Sequence, residues 1–367
     1  MSWELTAADL PDLARGATLL GTGGGGDPYI GKMLVERVLG AGAITILDPD
    51  DLADDLFVIP TAQMGAPTVM VEKIPAGTEP TLALRTLEDH LGRRADATMP
   101  IECGGINSMI PLIVAAETGL PVVDADGMGR AFPELSMETF AVYGVHGSPL
   151  ALAGERGERV VIDTGDDDRQ MEWLARGITI RLGGVGHIAE YAMSGADVRR
   201  TAVPRTISMA LALGRAIRLA REEHRSPFEA IAATLATTLY PHVRELCVGK
   251  VVDVERRTTE GFAKGRAVIA PLGAAEDDTF EIAFQNENLT ARRGGRLVAI
   301  VPDLICVVDH ETAEPITTEG LRYGQRVRVL GISTPAMMRT PEALAAFGPS
   351  AFGLTEEFAP VEGMAAS

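Results

Sequence analysis

Cysteine is scarce in this 367-residue chain, with only Cys103, Cys247 and Cys306. Three scattered cysteines exclude a disulfide framework and a paired CxxC zinc site. Cys247 and Cys306 lie inside apolar runs and read as small buried hydrophobes. Aromatic residues are also few, 5% against 46% hydrophobic overall, so the core must be aliphatic, which suits a buried α/β sheet. Basic residues are outnumbered, 33 to 51, and the formal net charge of -18 argues against binding nucleic acid or an anionic membrane through a diffuse basic surface. No apolar stretch approaches the ~20 residues of a membrane span. The opening MSWELTAADLPDLARG carries acidic residues where a secretory signal needs a basic and then an apolar region. The composition is that of a cytoplasmic protein.

The length suits about two domains on a prior of ~150 residues each. Short apolar runs alternate with helical patterns through the first half. Helices are expected over residues 5–13, with Thr6 as N-cap, and over 31–39, 81–91 and the apolar MIPLIVAAETG; strands are expected at AITIL (43–47), FVIPTAQMG and PVV. The first of these strands but one runs into a Gly-Pro-rich loop, GAPTVM. Strand, loop and helix in succession predict a mainly parallel sheet with functional loops at the carboxyl ends of strands. The sequence turns polar around AGERGERVVIDTGDDDRQ, which places a domain boundary near residue 165 and gives domains 1–165 and 166–367. Within the second, helices are expected over about 168–240, including 204–223 and 227–239. A β-rich, barrel-like module follows over about 243–335. The tail FAPVEGMAAS reads as frayed.

Four stretches stand out. In LLGTGGGGDPYIGK, Thr22, Gly23, Gly24, Gly25, Gly26 and Asp27 form a run that is either a linker or an ordered loop approached closely by something. It fails as a phosphate-binding P-loop because Met33 holds the hydroxyl position after Lys32, and Asp27-Pro28 interrupts a dinucleotide fingerprint. Its unpaired N–H groups could still form a nest for an anionic or polar ligand. In DADGMGRAFPEL, Asp124 and Asp126 are two apart, a spacing that suits a metal or an acid and base on one side of a strand end, and equally suits turn capping. In ECGGINS, Cys103 precedes a Gly-Gly turn and a helix start that would lower a thiol pKa, with Asn107 as either helix cap or ligand contact. In RLGGVGHIAEY, a lone histidine in an apolar setting reads as a hydrogen-bonded core residue, yet the glycines beside His187 make deep packing unexpected. A further segment, FQNENLTAR, places Asn286, Glu287 and Asn288 consecutively in a β region, as a turn or as polar contacts to a planar ligand.

Taken in order, LGTGGGGDPYIGK, PIECGGINS, VVDADGMGRAFPELSM, FQNENLTA and VPDLICVVD…EPITTEGLRYGQRVRVLGI resemble the S-methyl thiohydantoin desulfurase-like family over nearly the whole chain. The resemblance implies an N-terminal α/β domain, a C-terminal region containing a β domain, and a link to hydantoinase/oxoprolinase-type proteins. It implies a hydrolase that removes sulfur from C2 of a small cyclic thiohydantoin or ureide. Such chemistry needs an activated water, an oxyanion stabiliser and an acid for the leaving group. On that reading Asp124, Asp126, His187 and Cys103 are the catalytic candidates, a divalent metal such as zinc held by Asp124, Asp126 and His187 is the candidate cofactor, and the glycine loop donates to the oxyanion. The competing expectation is a non-catalytic ligand-binding or accessory subunit of a hydantoinase-type enzyme. Homo-oligomerisation is open on either reading.

Overall fold

Alternating aliphatic and helical segments in the first 204 residues build a mixed sheet and a short two-stranded ribbon. The structure, a computed structural model, describes residues 1–65, 69, 76–259, 262–273 and 279–364. Its N-terminal strands are β1 (Trp3–Thr6), β2 (Ala43–Leu47), β3 (Phe57–Gly65), β4 (Ala97–Met99), β5 (Val122–Val123), β6 (Ala125–Asp126), β7 (Leu150–Ala153), β8 (Arg159–Ile162), β9 (Val185–Ala189), β10 (Met193–Ser194) and β11 (Val203–Pro204). Among the described residues the main sheet runs β1-β2-β5-β4-β3-β9-β7-β8, with β10 beside β3, and β6 pairs β11 in a ribbon of its own. The centre, β2-β5-β4-β3, is parallel and the flanks are antiparallel. β3 is buried along all but its two ends, which is why FVIPTAQM reads as a nearly continuous apolar run. The loop expected after it, GAPTVM, lies mostly outside the described residues.

The first expected helix is displaced. Residues 3–6 pair antiparallel with β2, Trp3 opposite Ile46 and Thr6 opposite Ala43. Thr6 then donates its N–H and hydroxyl to Asp9, closing a turn, and the helix runs Leu10–Leu20, with Leu10, Leu13, Ala17 and Leu20 buried. The other expected helices appear as Pro28–Leu39, Glu79–Leu91, Ile110–Thr118, Thr206–Glu222 and Pro227–Leu235. The helices Leu10–Leu20 and Thr206–Glu222 cross at two glycines. A Cβ on Gly16 would lie 1.7 Å from the carbonyl oxygen of Ala210, and one on Gly214 would lie 1.7 Å from that of Asp12. Only residues without a side chain allow this approach.

The C-terminal module is a seven-stranded antiparallel sheet. It comprises β12 (Val243–Thr259), β13 (Phe262–Pro271), β14 (Phe280–Gln285), β15 (Glu287–Arg293), β16 (Arg296–Ile300), β17 (Leu304–Asp309) and β18 (Arg326–Ile332), in the order β16-β15-β14-β13-β12-β18-β17. Its edge strands β16 and β17 pack against each other, so the sheet curls into a half-barrel. The inner side chains, among them Val251, Ile269, Ile282 and Val329, form a separate aliphatic core. The expected α/β class with a C-terminal β module is therefore present. The tail is not frayed through residue 364: Val361 is buried and donates its N–H to Asp303 at 2.8 Å, while Arg244 donates to its carbonyl.

Candidate functional site

A cavity opens where the glycine loop, the ECGGIN loop, the end of β3 and the tip between β14 and β15 converge. It holds about 60 Å³ of space for the centres of water-sized spheres. That is room for a few waters at the ~10–15 Å³ each requires. Gly25, Gly26, Asn107, Asn286 and Glu287, all singled out in the sequence, line it together with Glu102 and Gln63.

Among the described residues three carboxyl groups line it, Glu102, Glu134 and Glu287; Glu134 is half-buried, and the two that are almost fully buried come from different halves of the chain. Glu102 follows β4 and is 4% exposed; its Oε1 accepts from Asn107 Nδ2 at 2.7 Å and its Oε2 from the Phe132 N–H at 3.3 Å. Asn107 is held in turn by β3, accepting the Gln63 N–H at 2.7 Å and donating to the Gln63 carbonyl at 3.1 Å. Glu287, 2% exposed, opens β15. Its Oε1 accepts the Gly25 N–H at 3.2 Å, and its Oε2 has no hydrogen-bond partner. Burial pushes Glu287 up to about 8, and burial together with the nearby Glu287 carboxyl pushes Glu102 well above the carboxylate range. Charge on Glu287 thus opposes charge on Glu102, so of the two it is Glu287 that ionises first.

Beneath them lies Arg130, fully buried and tied to the carbonyls of Ala131, Pro302, Asp303 and Asn288. Burial lowers it only to about 10, so it remains a cation at neutral pH and joins the N-terminal sheet to the β module. Arg176, donating to Glu172 and to the Pro133 carbonyl, brings a second guanidinium to the cavity wall.

The four glycines are explained in large part by the protein itself. A Cβ on Gly24 would lie 2.1 Å from Glu287 Oε1, one on Gly23 2.8 Å from Asn288 Nδ2, and one on Gly25 2.7 Å from the Gly104 carbonyl. The loop is ordered because the NEN tip and the Gly104-Gly105 turn press against it. Two of its amides are already used, Gly24 donating to the Gly21 carbonyl and Gly25 to Glu287.

Several expected site residues serve the scaffold. Thr22 exchanges hydrogen bonds with the backbone of Ile305, and Asn288 donates to the Ile305 carbonyl at 2.8 Å. Asp27 is exposed and caps the helix Pro28–Leu39. Asp124 accepts the N–H groups of Ile207 and Ser208, where the helix Thr206–Glu222 starts. Asp126 accepts those of Cys103, Met128 and Gly129 through one oxygen, fixing both glycine-rich turns, and burial raises it to about 7. His187 lies on β9 opposite Gln63 and lines a neighbouring cavity. Among the described residues no group of three or more His, Cys, Asp or Glu is placed to hold a metal ion, so the expected set of Asp124, Asp126 and His187 is corrected: each carboxylate is directed at backbone amides instead. Cys103 is corrected as well. It is fully buried, and burial with Asp126 and Glu102 nearby raises its thiol far above the ordinary value instead of lowering it.

Glu102 and Gln63 are site residues that the sequence pattern alone does not single out, though it carries a signal for them. Each is a polar residue at the carboxyl end of an otherwise apolar strand segment, where ligand sites of parallel sheets collect. Arg176 carries no such signal, since it sits mid-helix among ordinary charged residues.

Residues 8–164 match the S-Me-THD-like N-terminal domain and residues 166–361 the S-Me-THD-like C-terminal domain. The chain belongs to the S-Me-THD-like family. A search of curated proteins finds no match. Among solved structures, a protein from Chromobacterium violaceum determined by X-ray crystallography in a structural-genomics programme is 25% identical, with a TM-score of 0.81 over 98% of this chain and 100% of its own. In this S-Me-THD-like protein no helix among the described residues is long and apolar enough to cross a membrane.

Proposed function

We propose that this protein hydrolyses an S-alkylated thiohydantoin at C2, with Glu287 and Glu102 as the base and acid in place of the expected aspartates. The observation that carries the reading is the pair of buried carboxyls, one from each half of the chain, on one small cavity. Family membership supports the substrate class. Glu287, near the buried Arg130 cation and accepting the Gly25 N–H, is the better carrier of the pair's single charge; Glu102, whose ionisation the Glu287 carboxyl opposes, is the better carrier of its proton.

Glu287 takes a proton from water as the oxygen bonds to C2. The carbon–sulfur bond breaks, and the departing thiolate takes its proton from Glu102. The hydroxyl proton left on C2 moves to the ring nitrogen as the carbonyl forms, and transfer from Glu287 to Glu102 restores the starting state. The products are a hydantoin and a thiol. Arg176, on the wall, opposes the negative charge that develops during attack.

The test is thiol release from S-methyl thiohydantoins by the wild type, Glu102→Gln and Glu287→Gln. Each variant is expected to lose about 10²–10⁴ in turnover. Full activity in both variants sinks the assignment of roles, and tight binding without thiol release by the wild type favours a binding-only protein.

A further inference from the structure

A second cavity adjoins the first, and Gln63 and Ile106 line both. It is smaller, about 30 Å³ by the same measure. Its walls are aliphatic: Ile30 and Leu34 from one helix, Ile110 from another, Ala153 of β7 and Val185 of β9. Among the described residues the polar groups on it are Gln63, Glu79, Glu155 and His187. Glu79 is committed to the N–H groups of Ala76 and Gly77, at 3.1 and 2.7 Å. His187 is held neutral at physiological pH, burial taking it down to about 4. Gln63 is 8% exposed, and its Oε1 has no hydrogen-bond partner. A buried amide oxygen left unpaired at the junction of two cavities is an acceptor waiting for a donor from a ligand.

We infer that the second cavity receives the substituent at C5 of the ring and selects an uncharged, branched aliphatic group, with Gln63 Oε1 accepting from the ring N–H beside C5. The inference rests on the reading of the first cavity given above. A five-membered ring at the carboxyl pair has its C5 substituent leaving on the side opposite C2, and Gln63 and Ile106, the lining residues common to both cavities among the described residues, stand at that passage. Aliphatic walls reward each added methylene by differential burial. A substituent ending in a carboxylate would leave water for aliphatic walls and the neighbouring Glu79 carboxyl, so it is rejected.

The experiment compares S-methyl thiohydantoins derived from glycine, leucine and glutamate on the intact protein, reading kcat/KM from thiol release and affinity by calorimetry. The leucine-derived ring is expected to exceed both others by about 10-fold or more in kcat/KM. Val185→Phe, which fills the cavity, is expected to lower the leucine-to-glycine ratio by at least about 10-fold, a comparison made within one variant and so independent of its yield or stability. Gln63→Leu should weaken all three rings together. Equal kcat/KM for the three rings with thiol release intact overturns the pocket and leaves the hydrolase reading standing. Binding without turnover overturns the hydrolase reading and leaves the leucine-to-glycine affinity ratio to decide the pocket. Absence of both binding and turnover overturns both.

Discussion

Glu287 accepts the backbone N–H of Gly25 at 3.2 Å, joining the β module to the glycine loop at the cavity wall. A Cβ on the adjacent Gly24 would sit 2.1 Å from the same carboxylate oxygen. Glycine at 24 is therefore a condition for where Glu287 places its free oxygen. Gly24→Ala should displace a flexible side chain and spare the backbone, because the three nearest atoms all belong to the Glu287 side chain and Gly24 is not in the left-handed region. Thermal unfolding should stay cooperative while ring affinity or turnover falls by about 10²-fold, the scale of a misplaced catalytic group. Wild-type kinetics in a folded Gly24→Ala protein would show that Glu287 is not positioned by this contact.

Glu287 also predicts a pH dependence of stability. Its folded pKa, about 8, lies above the ordinary 4.5, so the unfolded chain releases this proton first as pH rises. The stabilisation is complete below about pH 4.5 and is lost as pH climbs towards 8, with a slope of about 1.4 kcal/mol per pH unit for one such group. Denaturant midpoints for wild type and Glu287→Gln, taken between pH 5 and 8, should show the smaller decline in the variant. Parallel curves would mean that Glu287 is ionised in the folded state throughout.

The glycine crossing reverses an ordinary rule. Gly→Ala inside a helix normally stabilises by about 1 kcal/mol through propensity. At Gly214 the new methyl would meet the Asp12 carbonyl at 1.7 Å, and backbone atoms cannot step aside cheaply. Gly214→Ala is expected to destabilise by about 1–3 kcal/mol or more as overpacking. The control is Gly177→Ala on the helix Asp168–Arg181, where a Cβ meets nothing within 4 Å, and which should stabilise. Urea midpoints measure both.

Cys103 should be chemically silent. All three cysteines are buried, and the Cys103 thiol is raised well above its usual pKa by burial and by Asp126 and Glu102. An aromatic disulfide reagent at pH 8 should label none of them in the native protein and all three after denaturation. Cys103→Ala should keep thiol-release activity within about 10-fold of wild type, far short of the loss from removing a nucleophile. Rapid native labelling of Cys103, or its loss abolishing turnover, would restore it as a nucleophile.

Much of the fold was determined by local pattern. AITIL became β2 at its expected limits, the apolar IPLIVAAET became a helix, and the β-rich tail became an antiparallel sheet, because alternation and helical spacing are set by which side chains must leave water. Trp3–Thr6 escaped this reading since its strand state depends on a partner, β2, forty residues away. The same division holds at the site. The sequence marked Gly25, Gly26, Asn107, Asn286 and Glu287 through residue types that are uncommon in strands and helices, and these converge on one cavity. It could not say what Asp124 and Asp126 face. Their two-residue spacing fits a metal as well as it fits capping, and only tertiary packing supplied the amides of Ile207, Ser208, Cys103 and Gly129 that claim them. Nor could it foresee the sign of the Cys103 shift. A thiol's pKa is set by how much water and how much charge surround it, and both are decided by residues such as Asp126 and Glu102 only once the chain has closed over them.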